Sequence, residues 1–290
     1  MGYVVLGAGA IGAVVGGRLF QAGREVTLIA RGAHLEAMQS RGLRLESPAG
    51  SDTVRVAAVG HPRQIDWRAN HVILLAVKSQ QTCAALSELA QVAPSETTIV
   101  CLQNGIANEP AALRLFPHVQ GVSVACPTSH LEPGVVQAWS APVTGLLDIG
   151  VYPSGINQVS EAVAADFRSA TFSSFPVRNI ARWKHRKLLT NLGNAIEAVC
   201  GPQERQGPLG DMLLAEGEAV LSAAGRAAAT GTRACRQHRG TGCDSGSDNP
   251  GATRKCPRAS SRCWRHRLTN VRPGGVRARR RPQYALRGSR

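Results

Sequence analysis

Tyr3-Val4-Val5-Leu6-Gly7-Ala8-Gly9-Ala10-Ile11-Gly12 is the stretch that decides the fold of this chain. Four apolar residues predict a buried strand, the glycines a tight turn, and the residues from about Ile11 a helix. In that context G-x-G-x-x-G is a dinucleotide-binding signal rather than an ordinary glycine-rich turn. Gly7 allows the turn, Gly9 lets backbone approach a pyrophosphate, and Gly12 lets helix and strand pack closely. Ala8, Ala10 and Ile11 complete the loop, whose free N–H groups at the helix start suit phosphate.

The second strand, Glu25–Ala30, runs into Arg31-Gly32, with no acid before Glu36. A site selective for NAD ends this strand in Asp or Glu, which bonds the ribose 2′-OH. A guanidinium there pairs instead with a 2′-phosphate. The residues thus favour NADP(H), against the plain alternative of an exposed loop arginine.

Further along, Ala33–Ser40 reads as a helix, and Arg44–Glu46 and Thr53–Ala58 as short strands. His71–Val77 and Thr98–Leu102 are continuous apolar runs of the kind found in parallel strands covered on both faces. Gln80–Gln91 between them is an amphipathic helix. Gly121–Ala125, Gly134–Trp139 and Val143–Ile149 read as later strands, and Asn157–Arg168 as a helix. Alternating strands and helices predict an α/β fold, a Rossmann-like doubly wound parallel sheet. From Ile180 only helices follow, Arg182–Cys200 and Gly210–Ala224. The expected organisation is a nucleotide-binding domain over residues 1–170 and an incomplete all-helical domain over 178–224. A basic tail, expected to be disordered, occupies 225–290.

The charge supports that division. The formal charge is +15 over 290 residues, yet half of the 34 Lys+Arg lie after Glu218, accompanied only by Asp244 and Asp248. The tail holds too little Leu, Ile, Val and Phe to offset its ordering entropy. Its Arg/Gly/Ala/Pro/Ser composition is what a GC-rich gene yields when read out of frame, and a frameshift is its expected origin. Cys235, His238, Cys243, Cys256, Cys263 and His266 lack the regular spacing of a zinc site, so no metal is expected. Arg277–Arg281 suits incidental attraction to phosphates rather than specific nucleic-acid reading. Cys83, Cys101, Cys126 and Cys200 read as reduced core thiols. No basic leader precedes the first strand, and no apolar run approaches the about 20 residues of a membrane span. A cytoplasmic location is the expectation.

Three patterns carry candidate chemistry. Val77-Lys78-Ser79 follows one central strand, and Lys78 is either a cofactor phosphate or ribose contact or a solvated lysine. Leu102-Gln103-Asn104-Gly105 follows the next. There Asn104 either marks a turn or turns its amide toward the nicotinamide end, able to donate to a carbonyl and accept from an ammonium. On the helix from Arg182, Lys187 and Asn191 share one face by their i, i+4 spacing. That pair suits binding and protonation of a keto acid. By spacing alone, a basic helix start with a solvated face is the favoured reading.

Gly7-x-Gly9-x-x-Gly12, Val77-Lys78-Ser79-x-Gln81-Thr82, Leu102-Gln103-Asn104-Gly105 and Trp183-x-x-x-Lys187-Leu188-x-x-Asn191 occur in an order that resembles the ketopantoate reductase (2-dehydropantoate 2-reductase) family. The resemblance covers residues 1–224. It implies reduction of 2-dehydropantoate by NADPH in pantothenate biosynthesis, on a Rossmann domain followed by a helical one. By motif match, Lys187 protonates the carbonyl oxygen, Asn104 sits beside it at the nicotinamide, and Asn191 faces the substrate. A homodimer through the helical domain is a further possibility. The glutamate that the family carries later in its helical domain has no counterpart here. The expected activity is therefore impaired, with a catalytically inactive NADP-binding remnant or a reductase of another 2-keto acid as alternatives.

Overall fold

The computed structural model of the chain describes residues 1–229. The expectation of disorder over 225–290 falls outside these from residue 230 on, whereas 225–229 are described and hydrogen-bond to the helix that carries Arg182 and His185. The Cys/His set and the Arg277–Arg281 run lie wholly outside the described residues. The first strand, β1 (Gly2–Leu6), is followed by α1 (Ala10–Gln21), β2 (Glu25–Ile29) and α2 (Gly32–Arg41). Next come β3 (Leu43–Ser47), β4 (Gly50–Val54), β5 (Ala57–Val59), β6 (His71–Leu75), α3 (Thr82–Ala90), β7 (Thr98–Cys101) and α4 (Asn108–Leu113). The strands β8 (Val119–Ala125), β9 (Thr128–Glu132), β10 (Val135–Ala138) and β11 (Gly145–Val151) precede α5 (Gln158–Ser169) and β12 (Phe172–Ser173). Two helices, α6 (Ile180–Cys200) and α7 (Pro208–Ala223), end the described elements.

The main sheet has eight strands in the order β12-β11-β8-β7-β6-β1-β2-β5. From β8 to β5 every neighbour is parallel. The apolar runs alternate between two cores. Tyr3 and Val5 of β1 face one, with Leu28, Leu74 and Val100, under α1 and α5. Val4 and Leu6 face the other, with Ile73, Leu75 and Ile99, under α3 and α4. Burial on both faces explains why these strands read as unbroken apolar runs.

The described fold departs from the sequence reading in several places. The single strand expected over Thr53–Ala58 is two. β4 pairs antiparallel with β3, whereas β5 pairs parallel with β2, and one straight strand cannot serve both partners. A second sheet of four strands, β4-β3-β10-β9, lies outside the parallel sheet, and β9 had not been anticipated. β11 runs antiparallel to β8. The short helix α4 was also missed. Its six residues carry too little periodicity to read. Two of the four cysteines expected in the core, Cys83 and Cys200, are exposed, since each sits on the outer side of its helix.

Residues 225–229 turn back onto α6, where Ala229 N–H donates to the Arg182 carbonyl at 2.9 Å and His185 Nδ1 lies 2.9 Å from the Ala227 oxygen. No helix among the described residues is long and apolar enough to cross a membrane.

Candidate active site

The carboxyl ends of the parallel strands β1, β6 and β7 lie on one edge of the sheet, so the loops that follow them meet. Gly7, after β1, has φ +102°, and a Cβ there would stand 2.7 Å from the Val77 nitrogen. A Cβ on Gly12 would stand 2.2 Å from the Gly7 oxygen. Gly9 differs from both, since a Cβ there would meet nothing within 4 Å. Its open side faces a cleft of about 400 Å³. No side chain caps the start of α1, so its first N–H groups are left for a ligand. Gly7 and Gly12 therefore build the turn, and Gly9 keeps clear the space that a pyrophosphate needs. This fits a dinucleotide.

A pair of substitutions separates these roles. Gly12→Ala is expected to destabilise the protein by about 1–3 kcal/mol through overpacking, seen as a lower thermal midpoint. Gly9→Ala should leave the midpoint where it is and weaken dinucleotide binding. Equal midpoints for the two variants would refute the division.

The cleft is lined by Gly7, Ala8 and Gly9, by the end of β2 with Arg31, by Val77, Gln80 and Gln81, by Glu88 of α3, and by His34 and His130. Of the predicted cofactor residues, Ala10, Ile11 and Gly12 form the first turn of α1 behind the loop. Lys78 is exposed beside Val77 and is not among the lining residues. Arg31 reaches the cleft, 3.4 Å from Glu88 Oε2, with its side chain 72% exposed. His61 Nε2 stands 3.7 Å from the same carboxylate oxygen. A ligand phosphate at Arg31 has to compete with Glu88, though an exposed pair of this kind contributes only about 0–1 kcal/mol. Sequence reasoning did not find Glu88, which comes from another helix.

His34 and His130 were also missed. Their ring centroids are 4.0 Å apart. His34 Nδ1 accepts from Gly134 N–H at 2.9 Å. Burial, and then the neighbouring His130, push the His34 pKa down, so a neutral imidazole faces the cleft.

Beyond β7 the chain turns through Gln103-Asn104-Gly105, with Gly105 at φ +85°. Asn104 is exposed, and its side-chain oxygen accepts from Asn191 Nδ2 of α6 at 3.4 Å. The fold thus brings together two of the predicted residues that are far apart in sequence. Lys187 lies one turn before Asn191 and is half-buried. Burial, and then Arg205, lower its pKa from the ordinary 10.5.

The basic start of α6 is not wholly a solvated face. Lys184 is 3% exposed and pairs at 2.5 Å with Glu109 of α4, itself fully buried. Lys184 Nζ also donates to the Gln103 carbonyl at 2.8 Å and lies 3.4 Å from the Val122 oxygen. Burial pushes the Glu109 carboxyl above its usual range, with the Lys184 ammonium opposing that rise. Neither residue had been singled out. A lysine three positions before Lys187, and an acid four after an Asn-Gly turn, look like surface charges until the helices are packed.

Polar contacts join these loops. Gln103 Nε2 donates to the Val77 carbonyl at 2.7 Å and to Thr82 Oγ1 at 2.8 Å. Thr82 in turn donates to Asn108 Oδ1 at 2.9 Å. Asn108 Nδ2 reaches the Asn104 carbonyl at 3.0 Å.

Comparisons with known proteins agree with this geometry. The family model described as ketopantoate reductase PanE/ApbA matches residues 3–153. The 2-dehydropantoate 2-reductase of Pyrococcus horikoshii is 36% identical over 187 residues, which is 64% of this chain and 60% of that protein. The chain thus spans about 60% of the length of the first curated relatives it matches. Among solved structures, a PanE/ApbA family ketopantoate reductase from Ralstonia eutropha JMP134 aligns with a TM-score of 0.69 and 28% identity, covering 79% of this chain and 76% of its own. A D-mandelate dehydrogenase solved with NADH and anilino(oxo)acetate reaches 0.70 at 20% identity, over 79% of this chain and 76% of its own, which is a likeness of fold. The family match runs from β1 through β11 and takes in the glycine turn and the loops after β6 and β7: the chain belongs to the ketopantoate reductase PanE/ApbA family.

Proposed function

We propose that residues 1–224 are the NADP(H)-binding and catalytic part of a 2-dehydropantoate 2-reductase. They comprise a nucleotide-binding domain over 1–170 and the start of a helical domain from 178. The observation that carries this reading is the contact between Asn104 and Asn191. It sets the helix bearing Lys187 against the loop after β7, on the sheet edge that holds the glycine turn. When bound there, the reduced nicotinamide supplies the hydride. Lys187 holds the proton that goes to the keto oxygen, and its lowered pKa suits an acid that must release a proton near neutral pH. Asn104 and Asn191 orient the substrate through amide hydrogen bonds. The glycine turn and the start of α1 take the pyrophosphate, Arg31 the 2′-phosphate, and Lys78 a phosphate or ribose oxygen from the rim. A homodimer through the helical region and a cytoplasmic location accompany this reading.

Arg31 is tested by titration. Arg31→Ala should weaken NADPH binding by roughly 1.5–3 kcal/mol, the range for charged hydrogen bonds. NADH binding should be nearly unchanged. Equal losses for both cofactors would remove Arg31 from the 2′-phosphate site. Activity is tested by following NADPH oxidation with 2-dehydropantoate and a panel of other 2-keto acids.

A second reading, a remnant that binds NADP(H) without turnover, is favoured by one specific observation. No Glu occurs after Glu218, so the family's later glutamate has no counterpart. Translating the gene past codon 224 in its other two frames separates the readings. A leucine-periodic, Glu-containing pattern there marks a damaged reductase.

A further inference from the structure

Lys184 and Glu109 form a charge pair inside the protein that the reaction, as read above, does not use. A buried ion pair contributes little to stability compared with two apolar side chains of the same volume. What it adds is direction, because an ammonium accepts few arrangements of its acceptors. Here Lys184 comes from α6, Glu109 from α4, and a further acceptor, the Gln103 carbonyl, is the peptide oxygen just before Asn104. Asn104 is held again on its other side, where its own carbonyl accepts from Asn108, the residue preceding Glu109.

We propose that Lys184, held by Glu109, is a positioning residue that fixes the Gln103–Asn104 peptide against α6, so that Asn104 meets the face carrying Lys187 and Asn191. This rests on the reading of Asn104 and α6 as the nicotinamide and substrate end. Without the pair, the loop after β7 loses its buried tie to α6 and keeps the exposed Asn104–Asn191 contact, while sheet and helix keep their apolar packing. The ammonium is enclosed and bonded on several sides, so it acts through the loop and not on substrate.

The experiment uses the full chain and a double variant, Lys184→Met with Glu109→Leu, which replaces both charges by apolar groups. Amide hydrogen exchange is followed without ligand. Residues 104–107 should exchange about tenfold faster or more in the double variant, with β7 and α6 protected as in the wild type. In parallel, NADPH and the adenosine fragment 2′,5′-ADP are titrated. The double variant should bind NADPH about ten- to a hundredfold more weakly and 2′,5′-ADP as the wild type does. A general loss of stability would not split the two ligands in this way. Should the double variant not fold, Lys184→Met alone serves, since Glu109 can then take up a proton. Wild-type exchange over 104–107 in a folded variant overturns the proposal. A wild type that binds neither ligand defeats the reading of the cofactor site instead, and the exchange result then decides this inference by itself.

Discussion

Lys187→Ala is expected to lower turnover of 2-dehydropantoate by about 10²–10⁴, the contribution of a positioned general acid, with NADPH affinity unchanged. The measurement is made in a chain whose residues after Ala224 are replaced by the C-terminal helices of a full-length relative. The pH profile adds an independent check. Burial and Arg205 both disfavour the ammonium form of Lys187. As pH rises through the lowered pKa the proton is lost, so the rate of reduction should fall on the alkaline side before the ordinary lysine value is reached. Arg205→Ala removes the second cause and should move that limb to higher pH. Undiminished reduction by Lys187→Ala would exclude this lysine from the chemistry. A limb unmoved by Arg205→Ala would point to another acid.

The chain as it stands should turn over at less than about one-hundredth of the rate of that fusion, which is itself expected in the ordinary enzyme range of ~1–10³ s⁻¹. The reason lies on α6 and α7, the last two helices among the described residues. Val199, Met212 and Val220 are 85%, 69% and 61% exposed. Leu209 at the start of α7 is half exposed as well. Exposed apolar side chains favour association where they form a continuous patch. Light scattering should therefore show concentration-dependent assembly of the chain, reduced in the fusion. Turnover by the unaltered chain equal to that of the fusion would show that residues 1–224 with the existing C-terminus suffice. The inactive-remnant reading would then fall.

The parallel part of the sheet was legible because a strand covered on both faces needs an unbroken apolar run, and His71–Leu75 and Thr98–Cys101 supply one each. The glycine turn was legible because each glycine has a local reason that motif spacing already encodes. Strand breaks and partners were not. Nothing in Thr53–Ala58 tells one strand from two, since Val54 at the end of β4 and Val56 in the break before β5 are both buried. Charged residues were read least well. Lys184 and Lys187 stand three apart on one basic helix. Packing against β8 and α4 buries the first completely and leaves the second half open.

By itself, the sequence determined the dinucleotide-binding turn, the alternation of strands and helices around it, the four motifs of the family, and the change of composition after residue 224. These features are local, set by the apolar pattern and by where glycine is required. The tertiary structure alone decided that Asn104 meets Asn191, that Glu88 stands against Arg31, and that Lys184 pairs with Glu109 beneath the Gln103 carbonyl. Each of these contacts joins side chains from separate elements, 57 to 87 positions apart and 75 for Lys184 and Glu109. Their geometry depends on which helix packs over which strand end, and no spacing along the chain encodes it.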